Sequence, residues 1–397
     1  MLNYRLKLWL LCLFSVTLTA DSKIEQAFSK GNVDAQLQLF YYDIDKKTDN
    51  DAYATALGGY IKYTTDTKNP LFASIRFHTS NPVGGNLNKA NTSLFNNDNN
   101  AEALTTISES FLAYKTKNRI MRIGNVMLKT PMMNDDTTRI VPWSYQGFTY
   151  TGQSIKDMKV QLYHIRAIRS FTSDTYKQES ASGEFGDSGI SMLSLHYNGI
   201  NSLKTQAFYY YAPELYSTFV AQADYELSVS KNALFCAGLQ YFRSGDGGKY
   251  AVRENKNGGD DINLLALRTS IDTDDWTISI NYSQNFGLSG IVKGYGGLAK
   301  VYTTSMIANG RGNYKPETWM IKSVYNLPLN SYNSEIAFRY TNTRVHDSRG
   351  DGFKAYYLHF KHYISKEASI YLRYENLQYD TDKSDASYFR AIATYKF

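Results

Sequence analysis

The 397-residue sequence predicts an all-β fold: a transmembrane antiparallel up-and-down β-barrel of about 18 strands with one loop folded into its lumen. Three observations carry this. The chain holds 34 Tyr and 20 Phe but only 7 Pro, and its mean hydropathy is negative. Beyond its first twenty residues no apolar run approaches the length a helix needs to cross a bilayer, so helical membrane proteins are excluded. Period-two alternation of apolar and polar residues then recurs from end to end, broken alternately by tight turns and by long polar loops. Alternating strands in an aromatic-rich chain are expected where one face meets lipid and the other a wet interior.

The first element is a leader. Arg5 and Lys7 precede the apolar run Leu8 to Leu18, and Thr19-Ala20 supplies a small-residue cleavage site. Residues 1–20 are therefore assigned to a signal peptide and 21–397 to one barrel domain. Losing Arg5 and Lys7 leaves 41 basic against 37 acidic residues, a net charge of about +4. That is too mild to imply nucleic acid. Cys236 alone remains after the leader, so no intramolecular disulfide can form.

Ile24 to Ser29 reads as a short helical or coiled arm. The first strand sets Val33, Ala35, Leu37, Leu39 and Tyr41 against Asp34, Gln36 and Gln38. Leu71, Ala73, Ile75 and Phe77 likewise oppose Ser74, Arg76 and His78. Further along, Phe219 to Leu227, Trp276 to Tyr282, Ile336 to Tyr340 and Ile370 to Tyr374 repeat the pattern. Long segments are expected at 79–106, 128–142, 167–187, 244–260 and 287–315. Tight turns are expected at Lys117-Asn118, Asn198-Gly199, Lys231-Asn232, Asp274-Asp275 and Ser365-Lys366. Sixteen strands would also fit these boundaries.

The last strand runs to the final residue. Phe389, Ala391, Ala393, Tyr395 and Phe397 form its apolar face, and Tyr388, Arg390, Ile392, Thr394 and Lys396 the other. An exposed apolar edge invites pairing with other chains, and a barrel that pairs its last strand with its first has none. A terminal Phe with an aromatic two residues earlier also resembles the assembly signal of bacterial outer-membrane barrels. Partners expected on these grounds are outer-membrane lipid and, through Phe397, the barrel assembly machinery.

The stretch Gly124 to Gly147 is the candidate constriction. Pro131 and Pro142 interrupt strand pairing, and Asp135, Asp136 and Arg139 put both signs of charge on a short segment. Inside the lumen it would narrow the path and set a transverse field; outside it would be an ordinary surface loop. Strand parity puts Arg76, Arg122, Arg268, Arg339, Arg373 and Arg390 opposite the apolar set.

Here the chain resembles the OprD family of substrate-specific outer-membrane porins. The features are Gly124, Thr130-Pro131, Asp135-Asp136 with Arg139, Pro142 and Tyr145-Gln146-Gly147. Ala27-Phe-Ser-Lys-Gly31, Tyr53 to Gly59 and Phe397 add to them. Thr137 and Thr138 separate Asp136 from Arg139, a departure from the family's closer spacing. The resemblance implies an eighteen-stranded barrel in the bacterial outer membrane with a narrow eyelet. Inward arginines, opposed by acidic residues, would lead carboxylate-bearing solutes such as amino acids, small peptides or organic acids through by passive diffusion. A guanidinium offers a carboxylate paired donors.

Two alternatives stay open: a non-selective general porin, and a surface adhesion or structural barrel with a plugged lumen whose loops 79–106 and 287–315 bind a partner. No catalytic, cofactor or metal motif is expected. His359 and His362, three apart on a strand, point to opposite faces. His78, His164 and His196 lie on separate strands without a Ser or Cys motif. The loops 45–51 and 255–261 are acidic without the spacing of a calcium loop.

Overall fold

In a computed structural model the described residues are 22–97, 100–245, 262–287, 294–308, 315–329, 332, 334–346, 350–381 and 384–397. The expected leader and the acidic stretch Asn255–Asp261 lie outside them. A short helix, α1 (Ser22–Ser29), precedes the first strand, as the arm was expected to. It docks where Tyr63 Oη donates to the Phe28 carbonyl at 2.5 Å and the Asp66 N–H donates to that of Ala27 at 2.9 Å.

Eighteen antiparallel strands follow. They are β1 (Asn32–Lys46), β2 (Ala52–Thr64), β3 (Leu71–Pro82), β4 (Leu104–Lys115), β5 (Arg119–Val126) and β6 (Ser144–Ile155). Next come β7 (Met158–Arg169), β8 (Ile190–Ile200), β9 (Leu203–Tyr211), β10 (Ser217–Ser230), β11 (Ala233–Gly245) and β12 (Ile262–Thr273). The last six are β13 (Trp276–Asn285), β14 (Pro316–Leu327), β15 (Ser334–Val345), β16 (Phe353–Tyr363), β17 (Ala368–Tyr379) and β18 (Ala386–Lys396). Each pairs with its chain neighbours, and β18 pairs back onto β1 from Gln36↔Lys396 to Lys46↔Ala386. The ring is closed and has no edge in the membrane.

Both faces obey the alternation. Val33, Leu37, Leu39, Ile278, Ile280, Leu358 and Tyr395 are exposed on the outside, while Ser279, Asn281, Ser283, Thr341 and Arg390 are buried within. Outward Trp276 stacks on Tyr325 and Tyr282 on Trp319, each pair at 4.5 Å, with Ile278, Ile280 and Ile321 exposed between them. Aromatics bracketing an apolar band are how a barrel marks the two membrane interfaces.

Even-to-odd connections take two to six residues, whereas the long segments all follow odd strands. One expected turn is displaced. Asn198-Gly199 lies inside β8, and the chain reverses at Asn201-Ser202, where Ser202 has φ +64°. The Asn198 N–H still donates to the Asp157 carbonyl, so pairing toward β7 carries the strand past the Asn-Gly pair as a bulge.

A charge placed on the outer face should therefore be far worse than one inside. Ile278→Arg is expected to destabilise the barrel by about 2–4 kcal/mol, the cost of a basic residue at mid-membrane depth. Gln38→Arg, on the inner face of β1, should fold normally and change only conductance. Folding yield in bilayers and single-channel recording distinguish the two.

Candidate functional site

The constriction loop leaves the wall where two glycines face each other, Gly124 on β5 and Gly147 on β6. Gly124 has φ +127°, and a Cβ there would collide with the Ser110 carbonyl, so the close strand approach requires glycine. Residues 127–143 then turn inward. Thr130 builds the first turn, its hydroxyl donating to the Met133 carbonyl at 2.8 Å and accepting the Met133 N–H at 3.1 Å. Met132 and Met133 are fully buried, in one apolar cluster with Leu128, Trp143, Tyr145, Ile165, Tyr210 and Tyr295. Asp135 accepts the Trp143 N–H on its carbonyl and donates its own N–H to the Leu128 carbonyl, which ties the two legs together. At the exit Arg169, with no exposed surface, holds the Pro142 carbonyl at 2.8 Å and those of Ser170 and Ser173.

A second loop also enters the lumen, through its residues 294–308, and braces the first. Asn134 is the hinge between them. Its N–H donates to the Gly296 carbonyl at 3.0 Å, its amide nitrogen donates to the Leu298 carbonyl at 2.8 Å, and its amide oxygen accepts the Leu298 N–H at 3.3 Å. The Lys300 N–H reaches the Pro131 carbonyl at 3.0 Å and the Tyr295 N–H that of Met132 at 2.8 Å. From the walls, Gln240 exchanges hydrogen bonds with Lys300 and Tyr302, and the Glu375 carboxylate accepts the backbone N–H groups of Ile307 and Ala308. The described part of 79–106 is packed inward as well: Leu94, Phe95 and Ala101 are buried against Phe40, Tyr42, Ile140 and Val141. These parts of the long loops fill and shape the lumen.

Two cavities of about 790 and 650 Å³ flank the constriction loop and share Glu109, Met127, Lys129, Asp135 and Thr137. The larger carries Lys62, Arg122, Lys159 and Lys300 with Gln161, Gln206 and Gln222. The smaller carries Arg76, Arg139, Lys361, Arg373 and Lys396 with Tyr60 and Tyr371. Basic residues outnumber acidic ones around both.

Of the residues singled out by sequence, Asp135 lines both cavities, and Arg76, Arg139 and Arg373 meet around the smaller one although they come from β3, the loop and β17. Arg76 is ion-paired to Glu109 at 2.7 Å and lies over the Tyr60 ring. Arg373 Nε donates to the Tyr357 hydroxyl at 3.1 Å, with its guanidinium over the Tyr371 ring at 5.2 Å. Arg122 lines the larger cavity, over the Phe111 ring. The other residues stand apart from both linings. Arg268 is ion-paired to Asp224 at 2.8 Å under Tyr302, Arg339 stacks on Tyr357 at 4.7 Å, and Arg390 is buried against Tyr42. Asp136 is 8% exposed, with φ +40°, and also falls outside both linings.

Burial pushes the Asp135 carboxyl above the usual carboxylate range, against the pull of Lys129, Lys300 and a backbone hydrogen bond. Burial beside Arg390 pushes the Arg139 guanidinium down to about 10. Sequence reasoning missed Lys361, which strand parity on β16 would have found. It also missed Lys129, Lys300 and Arg169, and it expected the long segment 287–315 without its role as a brace inside the lumen, which no periodicity marks.

The family model described as outer membrane porin, OprD family, matches residues 83–329. Among curated protein sequences none matches the chain. Solved structures match over nearly the whole length. OccAB2 of Acinetobacter baumannii has a TM-score of 0.83 at 17% identity, covering 94% of this chain and 99% of that one. OccK9 (OpdG) of Pseudomonas aeruginosa has 0.81 at 14%, covering 94% and 99%. OpdK of Pseudomonas aeruginosa, in a structure with vanillate, has 0.78 at 14%, covering 93% and 99%. The chain shares their fold.

The brace between the loops can be tested at Gly297, where φ is +71° and a Cβ would collide with the Asn134 carbonyl and amide. Gly297→Ala should pry the loops apart and raise single-channel conductance while the barrel still forms. Unchanged conductance would mean that the second loop does not hold the first.

Proposed function

The chain belongs to the OprD family of outer membrane porins, channels of the bacterial outer membrane rather than enzymes, and from that premise we propose that it passes small hydrophilic solutes bearing a carboxylate. The observation carrying this reading is the grouping of Arg76, Arg139, Lys361 and Arg373 around one cavity that Asp135 of the infolded loop also lines. Charge between low-dielectric walls acts more strongly than at a free surface, so such a wall draws in anions. Arginine adds paired hydrogen bonds that favour a planar carboxylate over a spherical ion. Tyr60 and Tyr371 keep two of the guanidiniums aligned through their ring faces. Asp135 and Glu109 supply an acceptor for a solute's ammonium, which suits amino acids and small peptides as well as organic acids. The structure of OpdK with vanillate fits the same class, since vanillate is an aromatic carboxylate.

We also propose that Phe397 is the handle by which the assembly machinery takes hold of β18. It is 76% exposed, its ring packs on Tyr395 at 4.9 Å, and its N–H donates to the Ala35 carbonyl on β1 at 2.9 Å.

Arg373→Glu should move the reversal potential in a salt gradient toward cations. It should also slow uptake of a small carboxylate into liposomes about tenfold, the factor that ~1.4 kcal/mol of lost attraction gives. Asp135→Asn should move the reversal potential the opposite way. If neither change alters ion preference while both proteins conduct, the carboxylate assignment fails. Because burial raises the Asp135 carboxyl above its ordinary value, lowering the pH should discharge it ahead of an unshifted aspartate. The rise in anion preference on acidification should thus begin at a higher pH in wild type than in Asp135→Asn. Deleting Phe397 should lower the amount of heat-modifiable barrel in the outer membrane; full levels of folded protein would count against the handle.

A further inference from the structure

Two guanidiniums meet around one tyrosine on the inner wall, and a third lies on the next strand. Arg390 lies 4.3 Å from the centre of the Tyr42 ring and donates from Nη2 to its hydroxyl at 3.0 Å. Arg139, arriving from the constriction loop, lies 5.0 Å from the same ring. Arg373 sits directly across the strand pair from Arg390. Arg390 is 1% exposed, so water does not screen it, and a buried guanidinium stays charged.

The hydrogen bonding leaves this cluster short of acceptors. Nε and Nη1 of Arg390 have no partner among the described residues, and neither does Nε of Arg139. Arg139 donates only from Nη1, to the carbonyl and hydroxyl of Thr138. Two carboxylates stand near, and neither bonds a guanidinium. Glu375 accepts the backbone N–H groups of Ile307 and Ala308, and Asp136 Oδ1 is itself buried without a partner. Neither Arg139 nor Arg390 bonds a carboxylate among the described residues, so their positive charge is not neutralised where they stand. A water molecule could accept the idle N–H groups but would not balance the charge.

We propose that the Arg139–Arg390 cluster holds a resident small univalent anion of chloride size, bonded by the idle N–H groups beside Tyr42. The ion pins the constriction loop to β18 and β1, because Arg139 is on the loop and Arg390 on the wall. Arg390 lies behind the cavity lining, so the ion sits off the path proposed for solutes, although Arg139 also lines that path.

The test is crystallisation of the full barrel in bromide instead of chloride. An anomalous peak within hydrogen-bonding distance of Arg390 Nη1 is expected, and a map without one overturns the proposal. In solution, the thermal midpoint of the wild type should rise with chloride concentration when methanesulfonate, which has no carboxylate, holds ionic strength constant, since a ligand bound only to the folded form stabilises it. Arg390→Gln should lose that dependence. Should Arg390→Gln fail to fold, Arg139→Gln, which removes the loop's half of the cluster, serves the same purpose. An equal response to chloride and methanesulfonate in the wild type, or an undiminished chloride response in a folded variant, would overturn the site.

Discussion

A strand in lipid has nowhere to place its N–H and C=O groups except on another strand, and everything else here depends on meeting that demand. The pairing of β18 with β1 meets it, eleven residue pairs long, and joins the two ends of the chain. Because the ring is closed, each strand has one face in lipid and one in the lumen, which is why alternation persists from Val33 to Tyr395. The same closure brings Arg76 of β3 and Arg373 of β17 to one cavity although most of the sequence lies between them. The charged face of the channel is thus a consequence of the hydrogen-bond ring.

The interior of an eighteen-stranded ring is too wide for its own side chains to fill. Loops do it instead. The constriction loop brings its own apolar anchor, Met132 and Met133, and plants it among inward aromatics such as Tyr210 and Tyr295. This explains why inner faces that read as polar near the short turns become apolar toward the long loops, as Phe40, Tyr42 and Ile44 do on β1. Polar satisfaction follows the same plan. The loop carbonyls and N–H groups that cannot join a ladder are taken up by Arg169, Gln240, Asn134 and Glu375.

The charges inside are held by different means, and that sorts them by what they can do. Arg268 and Arg76 are neutralised by Asp224 and Glu109, while Arg339 and Arg373 lean on tyrosine rings, which orient a guanidinium without removing its charge. Of the last two, Arg373 lines the cavity and presents its charge there, whereas Arg339 stands apart from it. A guanidinium already bonded to a carboxylate presents less charge, and Arg390 is sealed behind Tyr42.

The amino-acid sequence by itself determined a barrel of about eighteen strands, the faces of those strands and the stretch that interrupts the wall, while leaving open whether that stretch turns inward. Each of these follows from period-two alternation, turn chemistry and the two prolines, all of which act within a few residues. The Asn198-Gly199 turn was the exception, because pairing with β7 outweighed a local turn preference. Only the tertiary structure decided which charges share a cavity. Parity says that Arg373 and Arg390 both point inward, yet one lines the cavity and the other is buried, since the loop bearing Arg139 packs over Tyr42. The bracing loop at 294–308 has no repeat to betray it. Its bonds run to Asn134, Gln240 and Glu375, residues brought near only when the barrel closes, and contacts of that kind leave no period in a sequence.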